Sequence, residues 1–303
     1  MSTAVGSYAV PTLGQVVDAF EGLYPPGWAE EWDAVGLVCG DPEAPVRKVL
    51  FAVDPVGIVA DEALAWGADL IVVHHPLFLR GVHSVAATGP KGRLVHRLIR
   101  EGVGLYTAHT NADVADPGVS DSLARAVGLG GELSPLRPAV EDPRRGLGRV
   151  GELSVPVSLR EFAAQAAAGL PGTAAGVRVA GDLDRPVRRV AVSGGAGDSL
   201  LDLAIAAGAD VYLTADLRHH PASEFVERAP TALIDATHWA TEWPWLADAA
   251  RRLEEALRPL DTTVETRVSA IVTDAWTRTL PGDDSPDPRH TPDPPARRFE
   301  DSP

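Results

Sequence analysis

A strand–helix–strand pattern that occurs twice is the feature of this sequence that most constrains its fold. In the first copy an Ala-rich helix ends at Gly67-Ala68-Asp69 and a continuous apolar run follows; the second copy has the same order around Gly208-Ala209-Asp210. The predicted segments are 46–54, 57–66 and 69–73 in the first copy, and 190–193, 200–207 and 208–216 in the second. Apolar runs of this kind are typical of strands buried in a parallel sheet, so the sequence predicts a duplicated α/β unit.

Imidazole and carboxylate side chains follow three predicted strands, 69–73, 103–106 and 231–235. They are His74, His75, His109, Asp113, His238 and Glu242. Open α/β sheets bind ligands outside the carboxyl ends of their strands. Because the two copies align with His74-His75 opposite Ala215-Asp216, we expect both copies to contribute strand ends to one crevice.

Each of these clusters also has an ordinary structural explanation. A His-His pair is often a surface or capping feature, and Asp113 can cap the segment that follows it. If a helix has begun by His238, Glu242 lies four residues on and shares its face. Pro244 is best tolerated in a first helical turn, which instead favours a helix that begins near Glu242, with its carboxylate at the positive end of the dipole. The joint occurrence at three strand ends favours a single functional site.

A mixed set of imidazole and carboxylate ligands suits Zn, Fe, Mn or Co better than Mg or Ca alone. Five of these side chains, namely His74, His75, Asp113, His238 and Glu242, are too many for one catalytic metal, which must keep an open coordination position. They suit two metals a few ångströms apart with a bridging carboxylate. The sequence therefore predicts a two-metal site.

Charge and composition limit the classes of partner. The formal net charge of -15 argues against a nucleic-acid surface, which needs clustered Lys and Arg. A small anionic substrate can still bind where metal cations supply local positive charge. No apolar run is long enough to span a bilayer, no secretory signal is visible, and the single cysteine, Cys39, fits a reducing compartment, so we expect a cytoplasmic protein.

The rest of the chain supports a division into three parts. We assign residues 1–130 to the first repeat and 131–275 to the second, and we expect the Pro- and Asp-rich tail, 276–303, to be disordered. The segment 146–151 matches a dinucleotide-binding pattern but lacks the required strand before it and helix after it, so we discount it. The Gly-rich segment 194–197 is either an anion cradle or a tight turn.

Six motifs, in order along the chain, resemble those of the NIF3-like family, whose members are often labelled GTP cyclohydrolase 1 type 2 homologs. They are Trp32-Asp-Ala-Val-Gly-Leu37 and the segments 68–76, 109–113, 194–197, 213–216 and 238–242. The resemblance extends from about Thr12 to Val272. The chain departs from the usual family residues at Ala34, Ala215 and Thr237, where the family has Asn, Gly and Gly.

The resemblance implies an α/β fold of two intertwined repeats with mixed, largely parallel sheets, assembled into a ring-shaped homohexamer. It also implies a dinuclear metal centre whose ligands match His74, His75, Asp113, His238 and Glu242. By the same resemblance, His109 lies near the metals, and Asp33 and Asp54 lie around the cavity.

We therefore expect a metal-dependent hydrolase that acts through an activated water on a nucleotide such as GTP, a phosphoester or a cyclic amide. Glu242 or Asp113 would bridge the metals, and His109 is the expected proton shuttle. Two other classes stay open: a metal-binding regulatory or interaction protein without turnover, and a metal carrier or store.

Overall fold

The computed structural model describes residues 9–280, which form two mixed β-sheets with helices between and outside them. The helices are α1 (Leu13–Leu23), α2 (Gly57–Trp66), α3 (Pro90–Glu101), α4 (Thr110–Asp113), α5 (Val119–Ala126), α6 (Leu159–Gly169), α7 (Leu201–Ala206), α8 (His219–Arg228) and α9 (His238–Leu257). The strands are β1 (Gly36–Cys39), β2 (Lys48–Ala52), β3 (Leu70–Val73), β4 (Gly104–Thr107), β5 (Gly130–Ser134), β6 (Arg137–Pro138), β7 (Gly146–Leu147), β8 (Arg149–Ser158), β9 (Arg178–Ala180), β10 (Pro186–Ala196), β11 (Val211–Ala215), β12 (Ala232–Ala236) and β13 (Glu265–Val268).

Each sheet has a parallel centre built from one copy of the duplicated pattern. The first sheet has the order β1-β4-β3-β2-β13, in which β2, β3, β4 and β13 are parallel. The second has the order β5-β8-β10-β11-β12-β9, in which β10, β11 and β12 are parallel and the remaining strands antiparallel. This confirms the predicted mixed α/β fold.

The two copies are intertwined by the chain that follows each of them. Strand β13, after the second copy, pairs with β2 in the first sheet, and β5, directly after the first copy, pairs with β8 in the second sheet. The boundary at residue 130 between the two repeats stays a prediction.

The apolar residues of the central strands alternate between two clusters. One face of each sheet packs into a shared core with α1, α5, α6 and α9, to which Val49, Phe51, Leu70, Val72, Val190, Val192, Val211 and Leu213 belong. The opposite face of the first sheet packs on α2 and α3, and that of the second on α7 and α8. Strands buried on both faces explain the continuous apolar runs of the sequence. None of the helices in residues 9–280 is both long and apolar enough to cross a membrane.

Helix α9 begins earlier than the sequence predicts. It starts at His238 and continues through Pro244, which is therefore inside the helix and not in its first turn. An interior proline removes a helical hydrogen bond and costs about 3 kcal/mol. Burial of Trp239, Trp245 and Leu246 in the shared core offsets this cost, because tertiary packing supplies most helix stability.

The C-terminal tail is described only in part. Residues 276–280 are irregular in structure, and the hydroxyl of Thr279 donates a 2.8 Å hydrogen bond to the carbonyl of Ala174. The disorder expected for 276–303 stays a prediction. The remainder of the predicted tail, 281–303, lies outside the described residues.

Candidate metal centre

The carboxyl ends of the central strands from both sheets meet at one place. Strand β3 ends before His74 and His75, β4 ends before His109, and β12 ends before His238. The ring centroids of His74–His75, His74–His109 and His75–His238 are each 5.1 Å apart. The predicted crevice between the repeats is therefore present, and it gathers the imidazoles that the sequence singled out.

The carboxylate of Glu242 lies at the centre of this cluster and is only 3% exposed. Its Oε1 is 2.9 Å from His238 Nε2 and 3.5 Å from His74 Nε2, and its Oε2 is 3.0 Å from His75 Nε2. Because α9 starts at His238, Glu242 shares a helix face with that residue. One buried carboxylate thus contacts imidazoles from both repeats.

The Nδ1 atom of each imidazole is held by an acceptor outside the cluster. His75 contacts Asp54 at 2.7 Å, His238 contacts Asp216 at 2.7 Å, and His109 contacts Asp33 at 2.9 Å. His74 Nδ1 lies 2.9 Å from the carbonyl of Ala108. Partners of this kind fix the ring orientation of metal-binding histidines and leave Nε2 available as the ligand atom.

His74 provides the clearest test of whether a cation fits here. A carbonyl oxygen can only accept, so His74 Nδ1 carries the proton toward Ala108. Its Nε2 is buried without a hydrogen-bond partner and faces Glu242 Oε1 at 3.5 Å and Asp113 Oδ1 at 3.7 Å. In the neutral ring, three acceptors therefore converge. A metal cation would satisfy all three, and a proton on Nε2 takes that place when no metal is bound.

The pKa values of the imidazoles reflect the same concentration of negative charge. Burial alone would lower the pKa of His75, but the charge of Glu242 and the hydrogen bond to Asp54 outweigh burial and raise the pKa to about 10. For His238, the charge of Glu242 and the hydrogen bond to Asp216 likewise outweigh burial and raise the pKa to about 11. A site that holds protons this strongly also attracts metal cations.

The two candidate bridging carboxylates are in different electrostatic states. Burial would raise the pKa of Glu242, but the charges of His75 and His238 outweigh burial and hold that pKa well below its usual value. Burial instead raises the pKa of Asp113, and the neighbouring charge of His74 only partly opposes it. Glu242 is therefore the more firmly ionised of the two.

The Gly-rich segment 194–197 contributes to the site by lying close to Glu242, and it does not form an anion cradle. Strand β10 continues through it to Ala196. The Gly194 and Gly195 amides donate to the side chains of Ser120 and Thr241, so neither is available to an anion. A Cβ at Gly195 would lie 2.6 Å from Glu242 Oε1, so only glycine leaves room for this carboxylate.

The structure brings together all six residues predicted at the strand ends. Two groups have ligand atoms close enough to share an ion: His74, His75 and His109; and His75, His238 and Glu242. Asp113 is adjacent through its 3.7 Å approach to His74. His109 thus joins a possible ligand group, although the sequence suggested a proton shuttle. Which residues act as ligands stays a prediction.

Sequence reasoning did not assign a role to Asp216, which orients His238. The available signal was the alignment of the two copies, which placed Asp216 opposite the His74-His75 pair. Asp216 follows β11 in the left-handed region, at φ +56°, which turns the chain at the end of that strand.

A second His-His-Pro sequence shows that the dipeptide alone does not define the site. His219 and His220 begin α8, are exposed, and have rings 5.2 Å apart. Within residues 9–280 they belong to no group that could hold a metal. Position at a buried strand end, and not the motif, distinguishes His74-His75.

A cavity of about 830 Å³ opens above the cluster and is lined by His75, His109 and His238. This volume is within the range of small-molecule sites, about 300–1,000 Å³. A larger groove of about 1130 Å³ near Pro117 and Trp243 is lined by none of the clustered histidines. Of these two cavities, the smaller is therefore the one whose wall includes the clustered histidines.

Comparison with known proteins places the chain in a family. The family described as Duf34/NIF3 (NGG1p interacting factor 3) matches residues 11–275. A Streptomyces coelicolor protein named GTP cyclohydrolase 1 type 2 homolog is 55% identical over 273 residues, covering 88% of this chain and 94% of that protein. A Mycobacterium tuberculosis protein of the same name is 39% identical, covering 87% of this chain and 96% of that protein.

Solved structures agree with these sequence matches. A Staphylococcus aureus protein has a TM-score of 0.81 at 27% identity, covering 89% of this chain and all of that one. A Bacillus cereus protein related to NIF3 has the same fold, with a TM-score of 0.82 at 24% identity, 89% of this chain and all of that one being covered. With a family match over nearly the whole described chain and a relative at 55% identity, this protein belongs to the Duf34/NIF3 family.

Proposed function

We propose that this protein is a metal-dependent hydrolase whose centre is the cluster around Glu242. The observation that carries the proposal is the buried His74 Nε2, a ligand atom without a hydrogen-bond partner that faces two carboxylates. A histidine with a purely structural role would have a hydrogen-bond partner for its buried nitrogen.

Five residues would hold the ions: His74, His75, Asp113, His238 and Glu242. Two divalent cations (Zn, Fe, Mn or Co), when bound, would supply Lewis acidity that makes water deprotonate near neutral pH and polarises the substrate. Glu242 is the better candidate for the bridging ligand, because it contacts imidazoles of both possible groups.

His109 is the residue we propose as proton acceptor. Burial would raise the pKa of Asp33, but hydrogen bonds from His109 and Thr110 outweigh it and lower that pKa below its usual value. An ionised Asp33 keeps the proton of His109 on Nδ1, 2.9 Å away. His109 lines the cavity, and its Nε2 lone pair would accept a proton from the attacking water.

The substrate proposed is a nucleotide-like compound, a phosphoester or a small cyclic amide. The relatives' name, GTP cyclohydrolase 1 type 2 homolog, supports the nucleotide choice. Water attack at a carbon or phosphorus centre is common to all three.

Anaerobic purification with elemental analysis, followed by a hydrolysis screen over these three classes, tests the proposal. We expect about two ions per chain in the wild type. Replacement of both His74 and His75 by alanine should remove metal and turnover together. The matched control replaces His219 and His220 by alanine, since that exposed pair has the same local sequence and should leave both properties unchanged.

A metal-binding interaction protein is the second candidate, favoured by the family description, NGG1p interacting factor 3. Metal-loaded protein that hydrolyses none of the three substrate classes would contradict the hydrolase proposal and support this one. A homohexamer is also proposed, and sedimentation of the purified chain measures it directly.

A further inference from the structure

The segment after β13, residues 271–280, forms one wall of the cavity above the imidazole cluster. Six of its residues line that cavity: Thr273, Asp274, Ala275, Trp276, Arg278 and Thr279. The opposite part of the wall is the imidazole cluster itself. This segment lacks helix and strand, yet it supplies six of the residues that line the cavity.

Side-chain hydrogen bonds fix this segment at both ends. The hydroxyl of Thr273 donates to Asp54 Oδ2, and the other oxygen of Asp54 holds His75. The hydroxyl of Thr279 donates to the carbonyl of Ala174 at 2.8 Å. The wall is thus attached to the first sheet through Asp54 and to the loop before β9 through Ala174.

Trp276 and Arg278 are the two residues between these anchors that are suited to recognition. Trp276 is 71% exposed, which leaves a large apolar ring in solvent beside the cavity. No carboxylate oxygen of residues 9–280 lies within 4.0 Å of the Arg278 guanidinium. The other arginine of the cavity, Arg178, is paired with Asp235.

We propose that Trp276 and Arg278 form a subsite for a substrate that carries both a planar ring and an anionic group. An exposed tryptophan face stacks on aromatic rings, and a guanidinium binds phosphate or carboxylate in bidentate fashion. Arg278 lines the same cavity as the imidazoles and would bind the anionic group of such a substrate there. The subsite deepens the proposed hydrolase function and rests on it for the identity of the reacting end.

Calorimetric titration of the metal-loaded full chain with three probes tests the subsite. The probes are guanosine 5′-monophosphate, which has ring and charge; guanosine, which has the ring; and ribose 5-phosphate, which has the charge. We expect Trp276→Ala to weaken the two ring-bearing probes about tenfold and to leave ribose 5-phosphate unchanged, while Trp276→Phe keeps most of the affinity. Arg278→Gln should weaken only the two charged probes, by a similar factor.

The controls separate this proposal from folding and from the hydrolase proposal. Arg160→Gln, on an exposed arginine outside the cavity, should bind all probes as the wild type does. Melting temperature and metal content should be unchanged in each variant, because neither Trp276 nor Arg278 belongs to a possible ligand group.

Wild-type binding to none of the probes, or equal binding by Trp276→Ala, Arg278→Gln and the wild type, would overturn the subsite. The expected probe pattern without hydrolysis of any substrate class would refute the hydrolase and leave the subsite standing. Turnover whose KM is unaffected by both substitutions would refute the subsite and leave the hydrolase proposal standing.

Discussion

The close approach of Gly195 to Glu242 gives the sharpest prediction about the metal centre. An alanine Cβ at this position would lie 2.6 Å from Glu242 Oε1 and 3.1 Å from His238 Nε2. The backbone there is also left-handed, at φ +64°. Gly195→Ala therefore combines backbone strain with displacement of two predicted metal ligands.

The expected loss of stability follows from these two effects. The left-handed conformation costs a non-glycine residue about 1–2 kcal/mol, of which about 0.4–1 kcal/mol is offset by reduced entropy of the unfolded chain. Overpacking against the buried carboxylate adds about 1–3 kcal/mol. The sum, about 1–5 kcal/mol, corresponds to a melting temperature lower by roughly 2–8 °C for a chain of this size.

Gly208→Ala is the matched control, because it isolates the backbone effect. Gly208 is left-handed, at φ +67°, and an added Cβ there meets nothing within 4 Å. This variant should lose only about 1 kcal/mol and keep its metal. Thermal unfolding of the metal-free chains and elemental analysis of the loaded chains measure both quantities.

Metal content decides whether the reasoning is correct. Displacement of Glu242 and His238 should lower the metal affinity of Gly195→Ala by at least about tenfold, as changes around ligands commonly do. If Gly195→Ala and Gly208→Ala retain equal metal and melt at the same temperature, then the contact with Glu242 does not constrain the site.

Three further predictions follow from other contacts. Asp216→Asn removes the charge that orients His238 and should weaken metal binding about 10–100-fold in a chelator competition; unchanged affinity would refute the orienting role. In the metal-free protein, the pKa values of His75 and His238 are raised to about 10 and 11 from about 6.5 in the unfolded chain. Their stabilisation is therefore complete below pH 6.5 and is lost as the pH rises through 10–11, so the melting temperature should fall between pH 7 and pH 10, and a flat profile would contradict this. Arg149→Met removes a buried guanidinium that pairs with the partly buried Asp121 and donates to three backbone carbonyls, and it should cost about 3–5 kcal/mol in urea unfolding, well above the effect of an exposed pair such as Arg160→Met.

Local signals explain why the parallel strands and their helices were predictable. Helix α2 was predicted over residues 57–66 and occupies those residues, because Gly67 ends it in a left-handed conformation at φ +75°. The capping boxes at Thr12 and Ser158 likewise mark the starts of α1 and α6. In each case a few neighbouring residues determine where the element begins or ends.

The start of α9 could not be predicted, because the deciding forces are not local. Pro244 has an intrinsic preference for a first turn, but the helix gains more from burying the residues on both sides of it in the shared core. The acceptors that hold the imidazoles have the same character. The family resemblance placed Asp33 and Asp54 around the cavity, but their pairing with His109, 76 residues away, and with His75, 21 residues away, is beyond the reach of local signals.

Duplication accounts for the location of the site, and divergence accounts for its asymmetry. In each repeat the third parallel strand, β4 or β12, is followed by a histidine and, four residues later, by a carboxylate within the helix that follows: His109 with Asp113, and His238 with Glu242. The longer glutamate reaches imidazoles of both repeats, whereas Asp113 approaches His74 at 3.7 Å. The second parallel strands, β3 and β11, have diverged further. After β3 the chain has the His74-His75 pair, whereas the aligned position after β11 has Asp216, which contributes no imidazole and instead orients His238. The side chains around Glu242 and those around Asp113 therefore differ, so two ions held by these residues would have different surroundings.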